Sequence, residues 1–217
     1  MLRLSDYEVY IFDCDGVILD SNKLKIEAMN QALYTCLGEH KKINECLNYF
    51  KINFGTSRFN HINVFVSEIL DLPVVERKKT YNELLSCYSA QCKKLYLKAE
   101  LTLGFLEFIQ GLSGKKYIAS GSEQNELIDI FKDRGLDIHF EKILGSPEAK
   151  VNLVASILKD GCCNAVMFGD AIADMKAALD NEIDFIAYLP YSNVRKELVL
   201  ESQVRGFRLM DSWSFNT

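Results

Sequence analysis

Carboxylates, a hydroxyl and a lysine recur in this sequence at the ends of short apolar runs. Asp13 and Asp15 lie two residues apart directly after Val9-Tyr10-Ile11-Phe12. Asp170 follows Ala165-Val166-Met167-Phe168-Gly169, and Asp174 stands four residues further on, on the same face of an expected helix. Ser120 and Gly121 follow Tyr117-Ile118-Ala119, and Lys150 opens an apolar-periodic segment after Gly145-Ser146-Pro147. Gathered carboxylates repel one another unless a cation or a shared proton neutralises them. A set of hard oxygen ligands suits Mg2+, which takes one or two carboxylates and keeps places for water and substrate phosphate. The Ser120 hydroxyl, with the N–H groups of Gly121 and Ser122 at an expected helix start, makes an anion site. Lys150 adds a point charge beside it. These groups fit a phosphoryl group, and a carboxylate held against phosphorus can act as its nucleophile.

Such residues meet only if the intervening chain brings them to one rim. Val9 to Phe12 is an unbroken apolar run, the pattern of a strand buried on both faces. Similar runs occur at Tyr117–Ala119, Ala165–Phe168 and Asp184–Tyr188, with a weaker one at Lys142–Leu144. Helical periods alternate with them, at Ser122–Phe131, Lys150–Leu158 and Ile172–Leu179. This alternation predicts a parallel sheet with helices on both faces. In such sheets ligands bind at the carboxyl ends of the strands, where all the residues above fall. From about Asn22 to Ala99 no buried-strand run appears. Ala28, Ala32, Leu33 and Cys36 fit one helix face, Val64, Phe65, Ile69 and Leu70 a second, and Leu84, Leu85, Tyr88 and Leu95 a third. The chain is therefore expected to divide into an α/β core, 1–20 and 100–217, and a helical insert, 21–99. In the tail, Val194–Leu200 reads as a helix, Gly206–Leu209 as a short strand, and Trp213 as a core residue, with no chemistry assigned.

Composition narrows the setting. The chain has 217 residues, 48% hydrophobic and 25% charged, which suits a globular protein and excludes a disordered chain, a collagen-like fibre and a coiled-coil rod. The net charge is −5 and no run of five like charges occurs, so no nucleic-acid partner is expected. No run of 18 apolar residues is present, so no membrane span is expected, and the N-terminus does not read as a signal peptide. Cytoplasmic localisation follows as an expectation, with the chain a monomer or homodimer. Seven cysteines, at 14, 36, 46, 87, 92, 162 and 163, form no C-x-x-C pair and read as reduced thiols that mostly fill the core.

Taken in order, four motifs closely resemble the haloacid dehalogenase superfamily. Asp13-Cys14-Asp15-Gly16-Val17 is similar to its Asp-x-Asp-x-Val/Thr motif, Ser120 to its second, Lys150 to its third, and Gly169-Asp170 with Asp174 to its fourth. The resemblance covers about 1–21 and 100–190, and Asp20-Ser21 resembles the stretch that leads into the inserted helical cap of C1-capped members. It implies a Rossmann-like α/β core and Mg2+ as cofactor. It also implies roles: Asp13 as nucleophile, Asp15 as general acid and base, and Asp13, the Asp15 backbone carbonyl and Asp170 as metal ligands. Ser120, the Gly121 amide and Lys150 would bind phosphate, with Asp174 orienting Lys150 or the metal ligands.

Within the superfamily, Asp15 points to phosphate-ester chemistry, because dehalogenases lack a carboxylate there and phosphonate hydrolases carry a small residue. The expected activity is a Mg2+-dependent phosphatase acting on a small phosphorylated metabolite, a sugar phosphate first, through an aspartyl-phosphate. Gly55-Thr56-Ser57-Arg58 resembles a loop of β-phosphoglucomutase, which makes a sugar phosphomutase the enzymatic alternative; Lys25 stands where those mutases carry histidine. A catalytically silent binding module is the alternative outside enzymes. Arg58 and Lys25 are the candidate substrate contacts in the insert. The aromatic residues around Arg58 (Phe54, Phe59 and Phe65, with His61) are expected to be core.

Overall fold

The first strand shows how this sequence builds its sheet. Its four side chains are all fully buried. Alternation sends Tyr10 and Phe12 to one face and Val9 and Ile11 to the other, so each face needs its own cover. The computed structural model describes residues 3–159 and 164–214. The expected thiols Cys162 and Cys163 lie outside the described residues. The elements are β1 (Val9–Phe12), β2 (Leu19–Asp20), α1 (Asn22–Leu37), α2 (Ile43–Ile52), α3 (Arg58–Val64) with a π-helical continuation (Phe65–Ile69), and α4 (Val74–Tyr96). Next come β3 (Glu100–Leu101), α5 (Phe105–Gln110), β4 (Lys115–Glu123), α6 (Gln124–Asp133), β5 (Lys142–Ser146) and α7 (Lys150–Leu158). The chain ends with β6 (Ala165–Gly169), α8 (Ile172–Asp180), β7 (Asp184–Tyr188), α9 (Arg195–Arg205) and β8 (Arg208–Met210).

Six strands form one sheet in the order β5-β4-β1-β6-β7-β8, and every pair in it is parallel. This is a Rossmann-like fold, as expected. Leu153, Val154 and Ile157 of α7, Met175 and Ala178 of α8 and Leu198 of α9 cover the Val9–Ile11 face. Phe105 and Phe108 of α5, Leu127 and Phe131 of α6 and Trp213 cover the other. Trp213 stacks on Tyr188 with ring centroids 4.2 Å apart, and its indole N–H donates to Thr102 Oγ1 at 2.8 Å. The strand order reverses at β1: the chain builds β4 and β5 on one side, then returns to place β6 on the other. A crevice forms at the carboxyl ends of strands at such a reversal.

The helices α1 to α4 lie between β2 and β3. These two strands pair antiparallel, Leu19 with Leu101 and Asp20 with Glu100, so the chain leaves the sheet region and returns to it side by side. Helix α2 was not anticipated, although Ile43, Cys46, Leu47 and Phe50 form a helical stripe and are all buried. Asn44, Glu45 and Asn48 between them diluted the pattern. The short α5 was missed as well, being six residues of mostly apolar sequence with no resolvable period. Among the described residues no helix is long and apolar enough to cross a membrane.

Candidate active site

At the reversal point, the ends of β1, β4 and β6 and the start of α7 bring Asp13, Ser120, Asp170 and Lys150 together, all buried. Lys150 Nζ donates to Asp13 Oδ1 at 2.9 Å and also pairs with Asp174 Oδ1. The other oxygen of Asp174 accepts the backbone N–H groups of Asp170 and Ala171, at 3.1 and 3.0 Å. Asp174 is thereby spent on Lys150 and on the start of α8, where a carboxylate also suits the helix dipole. Gly169 is obligatory here, since a Cβ at that position would lie 2.2 Å from the Cβ of Asp174.

One ammonium faces three carboxylates, so negative charge is in excess. Burial pushes the Asp13 carboxyl up; Lys150 pulls it down, and Asp174 and Asp15 push it further up. Asp170 is raised for the same reason, by burial first and then by Asp174 and Asp13. Burial disfavours the Lys150 ammonium, but Asp13 and Asp174 outweigh that and keep it charged. Oxygens of Asp13, Asp170 and Asp174 lie within 4.8 Å of one another. Asp170 Oδ2 accepts the side-chain amide of Asn22 at 2.6 Å, whereas its buried Oδ1 has no hydrogen-bond partner. A buried carboxylate oxygen without a partner, among like charges, fits a hard divalent cation.

Asp15 is in a different state. Its carboxylate accepts from Lys25 Nζ at 2.5 Å, Ser122 Oγ at 2.7 Å, Ser21 Oγ at 2.6 Å and the Tyr96 hydroxyl at 3.2 Å. Burial alone would raise its pKa. Lys25 and the hydroxyl donors outweigh burial and hold it below the ordinary carboxylate value. Lys25 also donates to Ser122 Oγ at 2.7 Å, so its charge is engaged next to the reacting end of the sheet.

One local expectation is corrected. Gly121 and Ser122 do not begin a helix, because β4 runs on to Glu123. Helix α6 starts at Gln124, and its cap is Glu123, whose carboxylate accepts the Glu126 N–H at 2.9 Å. The Ser120 and Gly121 groups are therefore presented by extended backbone, next to a register irregularity between Ala119 and Glu123. Ser120 Oγ accepts the Ser122 N–H at 3.2 Å and is not a helix cap. Gly121 meets the insert directly: a Cβ there would lie 2.6 Å from the carbonyl oxygen of Gly55 and 2.8 Å from that of Thr56. Gly55 itself has φ +90°, a conformation that favours glycine.

Between these two layers lies a small cavity of about 20 Å³, lined by Asp13, Asp15, Ser120 and Gly121 from the core and by Lys25, Phe50, Phe54, Arg58, His61 and Tyr88 from the insert. Of the aromatic residues expected in the core, Phe54 and His61 thus line the cavity. His61 is buried, its Nε2 lies 2.8 Å from Thr56 Oγ1, and burial followed by the charge of Lys25 pushes it down to about 3. It is a neutral imidazole at any physiological pH.

Arg58 borders the cavity, but its guanidinium is held elsewhere. It forks onto Glu126 of α6, at 2.9 and 2.7 Å, donates to Ser89 Oγ at 2.8 Å, and lies 5.1 Å from the centre of the Tyr88 ring. Asn22, Tyr96 and Glu126 escaped sequence reasoning, as did the bonds of the Ser21 and Ser122 hydroxyls to Asp15. So did the tail loop, where Ser192 Oγ donates to the Asp170 carbonyl at 2.5 Å and the Tyr191 carbonyl accepts from Asn22 at 2.9 Å. Their signal was only their place beside the motifs: Ser21 and Asn22 follow Asp20, and Ser122 follows Gly121.

Solved structures share this fold. A predicted phosphatase from Clostridium acetobutylicum superposes with a TM-score of 0.74 at 18% identity, covering 95% of this chain and 94% of that one. A predicted phosphoglycolate phosphatase from Haemophilus somnus gives a TM-score of 0.74 at 16% identity, covering 95% of both chains. A hydrolase from Pseudomonas syringae gives 0.73 at 19%, covering 94% of each. At these identities the likeness establishes the fold. No curated protein matches the sequence. The sequence pattern of the haloacid dehalogenase-like hydrolases matches residues 10–188. With that match spanning most of the chain and its motif residues gathered at one strand reversal, the protein belongs to the haloacid dehalogenase-like hydrolase family.

Proposed function

We propose that the protein is a phosphatase that hydrolyses the phosphate monoester of a small metabolite, a sugar phosphate being the class expected, through an aspartyl-phosphate on Asp13. The observation that carries this reading is the meeting of Asp13, Asp15, Ser120 and Gly121 around one cavity, with Lys150 paired to Asp13 and Asp170 beside it, in a chain of a hydrolase family. Two of the similar structures bear the names phosphatase and phosphoglycolate phosphatase, in keeping with it.

Asp13 attacks phosphorus, with Lys150 steering its Oδ1 and offsetting its charge. Ser120, the Gly121 amide and Lys150 neutralise the phosphoryl oxygens as they spread charge in the transition state. Asp13 and Asp170, with the Asp15 carbonyl, would hold Mg2+, which supplies the positive charge that the buried carboxylates and phosphoryl group lack. Asp174 positions Lys150 and binds no metal in this scheme, since both its oxygens are engaged. Asp15 protonates the leaving oxygen and then takes a proton from the attacking water. Held by Lys25, it is a carboxylate and so stands ready for the second role. The first role requires Lys25, on α1, and Tyr96, on α4, to loosen their hold. A cavity of about 20 Å³ has room for one water and none for a sugar phosphate, so substrate entry also requires the helical insert to move away from the strand ends. In this reading the insert acts as a cap that excludes water from the phospho-enzyme.

Phosphate release from sugar phosphates, nucleotides and small phospho-acids, measured with Mg2+, with chelator and with Asp13→Asn, tests the proposal. Release that needs Mg2+ and is lost in Asp13→Asn by a factor of about 10³ or more supports it. The Gly55-to-Arg58 loop at the cavity wall favours one second reading, a sugar phosphomutase. Interconversion of hexose 1- and 6-phosphates without net phosphate release would establish that instead. Silence in both assays would leave a binding module.

A further inference from the structure

Two thiols outside the phosphoryl site lie against each other. Cys36, in the last turn of α1, donates its S–H to the sulfur of Cys87, in the middle of α4, with the two sulfurs 3.2 Å apart. Both are half-buried, whereas Cys14, Cys46 and Cys92 are fully buried. The pair borders an open groove of about 520 Å³, walled by polar Thr35, Asn82, Glu83 and Ser86, which admits a small oxidant. A disulfide bond is roughly 2.05 Å long, so little more than 1 Å of approach separates the pair from bonding. Nothing in the phosphatase reading uses either residue.

We propose that Cys36 and Cys87 are a modification site, at which a hydroperoxide reversibly joins α1 to α4 through a disulfide. The Cys87 sulfur, already accepting a hydrogen bond, attacks the outer oxygen of the hydroperoxide. The O–O bond breaks, the departing alkoxide takes the thiol proton and leaves as an alcohol, and Cys87 becomes a sulfenic acid. The Cys36 sulfur then attacks the Cys87 sulfur, and the sulfenic hydroxide leaves with the Cys36 proton as water. Two electrons have passed from the two sulfurs to the O–O bond, and two thiols plus one hydroperoxide have become one disulfide, one alcohol and one water. The hydrogen bond sets the order: Cys36 donates its proton to the Cys87 sulfur, and burial, then the Cys87 sulfur and Glu83, push the Cys36 thiol up, so Cys36 reacts second and gives up its proton as it attacks the sulfenic sulfur. The bridge would tie together the two helices that supply Lys25 and Tyr96 to Asp15.

The test uses the full chain carrying Cys162→Ser and Cys163→Ser, so that the adjacent pair cannot compete. The protein is treated with tert-butyl hydroperoxide, then denatured, alkylated and mapped by mass spectrometry without reductant. The expected major product is a Cys36–Cys87 cross-linked peptide pair lacking two hydrogens and cleaved by dithiothreitol, with Cys14, Cys46 and Cys92 alkylated as free thiols. In Cys36→Ser the expected product is a Cys87 sulfenic acid trapped by dimedone. Full alkylation of Cys36 and Cys87 after hydroperoxide treatment would overturn the proposal, as would a predominant cross-link between other cysteines.

Discussion

Replacing Lys25 by methionine isolates the interaction that sets the state of Asp15. The methionine keeps most of the side-chain length and removes only the charge and its hydrogen bonds. The pair it breaks is 2.5 Å long, and its side chains are 9% and 5% exposed, so solvent screens it little. Removing one partner of a buried ion pair costs about 3–5 kcal/mol. The lower end, about 3 kcal/mol, applies here because Ser21, Ser122 and Tyr96 still donate to the carboxylate. The pH dependence follows from the sign of the shift. In the native protein Asp15 is held below its unfolded value, so its contribution is complete above the unfolded carboxylate pKa and is lost as pH falls through the folded one. In the variant, burial is no longer opposed by a cation and the folded pKa rises. Ionising Asp15 then costs stability, and that cost disappears at low pH, where the group takes a proton. Urea unfolding of both proteins should therefore show a gap of about 3 kcal/mol near pH 8 that narrows toward pH 5. A gap below about 1 kcal/mol, or one that stays flat across that range, would refute the assignment of Lys25 as the charge that holds Asp15.

Three further outcomes are expected. Arg58→Met should destabilise the fold by about 3–5 kcal/mol, since it strands Glu126 in a buried site; Glu126→Gln should cost less, and a double-mutant cycle by denaturant unfolding should show coupling above about 1 kcal/mol. Gly121→Ala places a methyl group against the Gly55 and Thr56 carbonyl oxygens and should lower stability by about 1–3 kcal/mol, measured by the same unfolding; an unchanged midpoint would mean that the loop is not seated as described. Burial raises the folded pKa of both Asp13 and Asp170, so ionising them costs stability as pH rises, and a divalent cation competes with protons for them. The rise in melting temperature on adding Mg2+ should accordingly be larger near pH 8 than near pH 5.5; equal rises would refute this.

Much of the architecture was legible because it rests on local patterns. The unbroken apolar strands announced a sheet covered on both faces, and the carboxylates, serine and lysine stood at the ends of those runs. The helical periods of α7 and α8 were equally plain. Helix α2 and the extension of β4 through Glu123 were not. The first has its apolar stripe among Asn and Lys residues, and in the second a Ser-Gly-Ser stretch that reads as a turn spans a register irregularity, beyond which Glu123 pairs with Ser146 of β5.

Residue order thus determined the covalent spacing of the motifs, the two-faced character of the strands and the interruption of the core by a helical segment. Only the tertiary structure decided which charges meet. It gave Lys25 to Asp15 and Arg58 to Glu126, left one Asp170 oxygen without a partner, and set Cys36 against Cys87. The physical reason is that burial of an apolar face repeats with the period of its helix or strand and leaves a trace in the sequence. A buried ion pair or thiol pair joins single residues far apart in the chain, and its geometry exists only after the elements have packed.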